Sequence, residues 1–229
     1  PDQQIERIDR DTPRRRGEIE RRLNRVRKEE ARILMGTQML TKGHDFPRVT
    51  LVGIIDADQG LFGSDFRSAE RLAQSFVQVA GRAGRAEHPG EVCLQTLFPE
   101  HPLLRVLITD GYAQFACLAL EERRQAGWPP FACLALLRAE ANERPPVFSF
   151  LQAAGALARA EAPVGLNVLG PAAAPMERRA GRYRGQLLLQ APSRRELQQL
   201  LPAWREALAG IESQRRVRWS LDVDPVDLF

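Results

Sequence analysis

Residues 31–58 read ARILMGTQMLTKGHDFPRVTLVGIIDAD, two apolar runs, Ala31–Gly36 and Val49–Asp58, joined by a polar loop. Neither run alternates, and a continuous run predicts a strand covered on both faces of a parallel sheet. Working outward, Gln4–Ile8 (QIERI) predicts a short strand, and Thr12 with Pro13 predicts the cap and first position of a helix. Ile19, Leu23 and Val26 give that helix an apolar stripe opposite a face dense in arginine. A helix over Ser68–Val79 and a strand over Glu91–Phe98 complete a β-α-β-β-α-β series. Such alternation predicts a doubly wound α/β layer with its site at the carboxyl ends of the strands.

Beyond His101 the pattern predicts a helix over Pro102–Ala126, stopped by GWPPF (Gly127–Phe131), where two prolines after a glycine suit a domain hinge. The remainder predicts a strand (Ala132–Ala139), a helix (Pro146–Arg159), a strand (Leu166–Leu169) running into a Pro- and Ala-rich loop, and a strand (Arg184–Ala191). Ser193 and Glu196 form a capping box for a helix carrying Leu197, Leu200, Leu201, Trp204 and Leu208, which Pro202 is expected to kink or split. A last strand, Val217–Val223, makes this a second β-α-β-β-α-β series, the order of a small ferredoxin-like α+β domain. The expected domains are therefore residues 1–126 and 127–229.

At 229 residues, 44% hydrophobic and 27% charged, the chain has globular composition and enough length for a substantial core. It lacks a bilayer-length apolar run and an apolar leader, which predicts a soluble, cytoplasmic protein without membrane contact. The net charge of +4 comes almost wholly from arginine, with lysine only at Lys28 and Lys42. Arginine forks onto phosphate and carboxylate, so partners bearing either are expected. Cys93, Cys117 and Cys133, and His44, His88 and His101, have no metal-ligand spacing, and the three thiols are expected to be buried spectators.

Two segments carry chemistry. GTQMLTKGHDFP (Gly36–Pro47) sets backbone N–H groups and short hydroxyls between two strands, which suits phosphate oxygens, while Asp45 can accept from a sugar hydroxyl. The alternative is a plain connection in which Gly36 and Gly43 only permit tight turns. QVAGRAGR (Gln78–Arg85) places two arginines three apart with no neutralising acid inside the motif. Alone, such a pair is more often solvated surface than a site.

In this order the two segments resemble motifs V and VI of superfamily 2 helicases. With RIDRDT, DFRSAERLAQ, EVCLQT, EHPLL, PPF, GRYRGQLLLQ and LDVDP, the chain resembles the family of primosomal protein N′ (PriA), the replication-restart DNA helicases. The resemblance implies a second RecA-like helicase lobe followed by the family's C-terminal domain. It places Arg82 and Arg85 at the γ-phosphate of ATP, Gln78 and Gly43 beside the nucleotide, and Asp45 on the ribose. Thr37 then holds a phosphate of the tracked DNA strand, with Lys42 nearby. Arg182 and Gln186 fall where the family binds the acidic tail of single-stranded DNA-binding protein. The other reading of Arg178, Arg179, Arg182 and Arg184 is a basic loop on DNA phosphates. Many relatives carry an aromatic residue where this chain has Gly185, which puts local stacking in question.

The implied activity is an ATP-dependent 3′–5′ DNA helicase, working with Mg2+, that recognises and remodels stalled forks and initiates primosome assembly. Its expected partners are forked and single-stranded DNA, the single-stranded DNA-binding protein and other primosome proteins, and it is expected to be a monomer in the bacterial nucleoid. No GxxxxGK[ST] phosphate loop occurs, so the chain is expected to hold half an ATP site and to be inactive alone. Zinc is expected in the intact protein, on ligands in a module preceding this chain. The alternative function is a catalytically inactive DNA- and protein-binding scaffold of the primosome.

Overall fold

The computed structural model describes residues 4–8, 17–28, 30–36, 49–81 and 90–228. They pack as two compact units: described residues of Pro1–Leu61 and Glu70–Tyr112 form the first, and those of Phe62–Ala69 and Ala113–Phe229 the second.

In the first unit β1 (Ile5–Ile8) and β2 (Ile33–Gly36) pair in parallel, with α1 (Glu18–Arg27) between them in sequence. The expected cap, Thr12 with Pro13, lies outside the described residues. Helix α1 opens after Gly17, at φ 90°, without a side-chain cap. Leu23 of its stripe is buried, and so is Glu6 of β1, whose carboxylate meets Arg25 Nη1 at 2.5 Å. A buried acid requires such a partner. A second parallel pair joins β3 (Leu51–Ile54) to β4 (Glu91–Leu94), with α2 (Asp58–Leu61) and α3 (Ser68–Ala80) between them.

Parallel α/β pairing is as the sequence predicts, but coverage of both faces is not. Ile33, Met35 and Leu51 stay 41%, 48% and 60% exposed. Among the described residues each ladder has only two strands, too narrow a sheet for helices to cover on both sides. Cys93 stands on the open face of β4 and Cys117 is also exposed, while Cys133 is half-buried, so the thiols are not the buried set expected. The long helix expected over Pro102–Ala126 is two, α4 (Pro102–Thr109) and α5 (Gly111–Gln125). Gly111, at φ 83°, takes the left-handed conformation that ends helices. His101 Nδ1 caps α4 by accepting from Leu103 N–H at 3.3 Å.

The second unit is an antiparallel four-stranded sheet in the order β6-β7-β5-β8, with β5 at Cys133–Ala141, β6 at Asn167–Arg179, β7 at Arg182–Ala191 and β8 at Arg218–Val223. Helices α6 (Arg144–Glu161) and α7 (Arg194–Ala209) follow β5 and β7, giving the ferredoxin-like order. Alternate residues of the two central strands, Ala135, Leu137 and Ala139 with Leu187 and Leu189, meet Phe150, Leu151, Leu197 and Trp204 in one core. Inside it Trp204 Nε1 donates to the Ala154 carbonyl at 2.9 Å.

The expected Pro- and Ala-rich loop after Leu169 is instead a continuation of β6, with register shifts between Leu169 and Ala172 and between Ala173 and Arg178. Strand β6 lies at the sheet edge, where Pro171 and Pro175 need not donate to a neighbour. Nor does Pro202 split α7, which runs unbroken. Pro202 and Gln198, the residue four before it, are both exposed. The lost hydrogen bond therefore leaves a carbonyl that water can reach, while the buried stripe holds the opposite side.

The capping box forms as predicted: Ser193 Oγ accepts from Arg195 N–H at 3.2 Å and bonds the Glu196 carboxylate. That hydroxyl holds the Glu196 carboxyl below its ordinary range. A lowered carboxyl contributes stability above the unfolded-state value and loses it as pH falls through the folded one. Ser193→Ala is expected to destabilise the second unit by about 1 kcal/mol in urea melts at neutral pH. The same change should move the Glu196 titration, followed by carboxyl NMR, back up toward an ordinary carboxylate.

Candidate functional site

The site residues divide between the two units. In the first, Thr37, Lys42, Gly43, Asp45, Arg82 and Arg85 lie outside the described residues. Gln78 is described, exposed on the last turn of α3, where Gly81 N–H closes the helix on the Val77 carbonyl at 3.0 Å. An amide so placed can donate to a phosphate oxygen and accept from a neighbouring donor.

The carboxyl ends of β3 and β4 are tied by a side chain that the sequence does not single out. Asp58, first residue of α2, accepts from Leu97 N–H at 3.0 Å and from the Thr96 hydroxyl, and Ala57 N–H reaches the Gln95 carbonyl at 3.0 Å. Asp56, which ends the VTLVGIID run, sits at φ 56° and accepts from Gln59 Nε2 at 2.7 Å. These bonds fix the geometry of the strand ends. The only sequence signal for them is an Asp at a helix start.

In the second unit Arg182 and Gln186 are brought together. Both belong to β7, four residues apart, so the two-residue period puts them on the same sheet face, the one turned away from α6 and α7. The neighbouring strand adds Arg138 directly opposite Gln186 and Glu140 directly opposite Arg184. Arg138 is committed: Nη1 donates to Asp222 Oδ2 at 3.0 Å and Nη2 to the Asp227 carbonyl at 2.9 Å. Among the described residues Arg182 pairs with Glu140, Nη1 to Oε1 at 3.5 Å. The Gln186 amide oxygen is buried with no hydrogen-bond partner among the described residues. Arg138 and Glu140 are missed by reading single motifs. They become legible once the β5–β7 register is known.

Residues 3–87 match the helicase conserved C-terminal domain, and residues 124–226 match the primosomal protein N C-terminal domain. The chain is 46% identical over 228 residues to the replication restart protein PriA of Haemophilus influenzae, covering 100% of this chain and 31% of that protein. Its identity to the PriA of Synechocystis is 40% over 228 residues (100% and 27% covered), and to that of Bacillus subtilis 36% over 225 (98% and 28%). The chain belongs to the PriA family of replication restart proteins. It spans about a third of the length of these curated relatives.

The PriA C-terminal match covers both Arg182 and Gln186, and the helicase match takes in Thr37, Lys42, Gly43, Asp45, Gln78, Arg82 and Arg85. Among the described residues no helix is long and apolar enough to cross a membrane, and no three His, Cys, Asp or Glu side chains gather as metal ligands. The structure places residue 185 away from the open face. A Cβ on Gly185 would lie 2.8 Å from Leu151 Cδ1 and 3.0 Å from Val147 Cγ1, both on α6. An aromatic side chain at 185 would thus enter the core rather than stack beside Arg182. Gly185→Ala is expected to destabilise the unit by about 1–3 kcal/mol through overpacking, read from the urea midpoint, with the Arg182 face unaltered.

Proposed function

We propose that this chain supplies the second motor lobe and the docking domain of an ATP-dependent 3′–5′ DNA helicase. In this reading the intact protein remodels stalled replication forks and starts primosome assembly. The observation that carries it is the succession in one chain of a helicase C-terminal match and a primosomal C-terminal match. The partly exposed Arg182 and the buried, unsatisfied amide oxygen of Gln186 on one sheet face support the docking half.

The motor half rests on the helicase match, which takes in these positions. In this reading Arg82 and Arg85 would serve the γ-phosphate, Asp45 the ribose hydroxyls, Gly43 a close backbone approach, and Gln78 the nucleotide from the end of α3. Mg2+ bound with ATP would neutralise phosphate charge, held by residues of another lobe, and zinc belongs to ligands outside this chain. Thr37 and Lys42 share the segment Gly36–Pro47 with Asp45, so in this reading the grip on a DNA phosphate and the nucleotide state would be linked. Half a nucleotide site leaves this chain inactive in isolation, and the intact protein acts as a monomer in the bacterial cytoplasm on forked and single-stranded DNA.

On the open face of the second unit, Arg182 offers a guanidinium to the terminal carboxylate of the acidic tail of single-stranded DNA-binding protein. Gln186 offers its unsatisfied oxygen to a peptide N–H.

In the intact protein Arg82→Ala or Arg85→Ala should lower DNA-stimulated phosphate release by about 10³- to 10⁵-fold while leaving fork binding nearly unchanged. Ordinary turnover in both variants would remove the nucleotide assignment and leave a binding scaffold. The 229-residue chain should bind forked DNA with an affinity that falls linearly in log–log form with salt, by a slope of about 0.9 per phosphate contacted. A titration by fluorescence anisotropy at several salt concentrations reads that slope, and a flat line contradicts it.

A further inference from the structure

We propose that Glu140 is a built-in competitor for Arg182, an internal carboxylate that the docking arginine must give up when it takes the terminal carboxylate of an acidic peptide. The inference rests on the docking reading of Arg182 and Gln186 and adds a residue that sets its affinity.

The ladder geometry singles out Glu140. It lies on β5 directly opposite Arg184 of β7 and directly opposite Arg218 of β8, with Arg182 one pleat further along β7. Arg179 of β6 stands across from Arg182. One carboxylate therefore sits among arginines on three strands. Its contact with Arg182 is a single oxygen on a single nitrogen at 3.5 Å, with the two side chains 34% and 36% exposed. A guanidinium binds a carboxylate best through two parallel N–H donors, and one long contact leaves most of that capacity unused. Arg138, two residues before Glu140 on the same strand, shows the opposite case, since two acceptors at 3.0 and 2.9 Å hold it.

Release is inexpensive for the same reason. Half-exposed pairs of this kind are weak. When Arg182 turns to an incoming carboxylate, Glu140 keeps Arg184 and Arg218 as its direct cross-strand neighbours. No charge is stranded, and the exchange is one carboxylate for another at a fixed guanidinium. The arrangement favours a carboxylate that can reach the fork with both oxygens, as one at the free end of a peptide can, over Glu140, whose place on β5 leaves it a single contact.

The test uses the 229-residue chain and a fluorescent acidic peptide ending in a free carboxylate, with its C-amidated twin as control. Glu140→Gln keeps the shape and removes the competing charge, and is expected to tighten the free-carboxylate peptide about two- to fivefold. That gain should vanish in the Arg182→Ala background and be smaller for the amidated peptide. If Arg182→Ala weakens binding but Glu140→Gln leaves it unchanged or weaker, the competitor role is overturned and the docking reading stands. A gain that persists without Arg182 is a general field effect and also overturns it. If Arg182→Ala changes nothing, the docking reading itself falls, and the competitor role with it. Should Glu140→Gln lose its fold by circular dichroism, Glu140→Asp, which draws the charge back by one methylene, is expected to give a smaller gain that again needs Arg182.

Discussion

The antiparallel register between β5 and β7 is the constraint on which the second unit depends. It sets Leu137 against Leu187 and Ala135 against Leu189 on the helix side, and Arg138 against Gln186 and Glu140 against Arg184 on the other. A slip by one residue would exchange the two sets, turning arginines into the core and leucines into water. Burial of the leucine set against α6 and α7 therefore fixes, without any further interaction, which polar side chains share the open face. The polar make-up of the open face is a by-product of hydrophobic alternation.

The open face is not uniform. At one end Leu134, Leu136 and Leu188 are covered by Leu228 together with Phe66 and Trp128, whose rings stack at 5.8 Å. Next to them Arg138 is fixed by Asp222 and the Asp227 carbonyl. Beyond it the charges loosen, and Arg182 has one long contact. Side-chain bonding thus thins along β5 and β7 from the leucine end to the arginine end, while the backbone ladder between the two strands runs on unchanged.

Element type was legible because the two hydrophobic periods are clean: the capping box at Ser193 and Glu196, the stripe of α7 and the central strands of the second unit stand where pattern alone puts them. The departures have local causes. Gly111 breaks a long apolar helix because its left-handed backbone suits a terminus, a choice that periodicity does not register. Pro202 is harmless because it faces solvent, a fact about orientation, not about proline. The Ala- and Pro-rich stretch of β6 reads as loop because no apolar alternation marks it, yet an edge strand needs only one hydrogen-bonded neighbour. Of the site, Arg182 and Gln186 were legible as a pair four apart, whereas Arg138 and Glu140 lie more than forty residues earlier and join them only through the sheet.

The unsatisfied atoms on this face bear on the docking role proposed for it. Gln186 Oε1 and Arg138 Nε, on directly opposed residues, are both buried without a partner among the described residues. Each such group costs about 1–3 kcal/mol of desolvation when left unpaired. A sheet selected for stability alone would carry apolar residues there, as it does at Leu136 and Leu188. The core on the helix side is closely packed, from Phe150 to Trp204, and can bear that loss. Under the docking proposal that unspent capacity has a use: the buried Gln186 oxygen would accept from a peptide N–H beside the partly exposed Arg182 fork. A ligand that brings both a peptide N–H and a carboxylate is the one this end of the face would suit under that proposal.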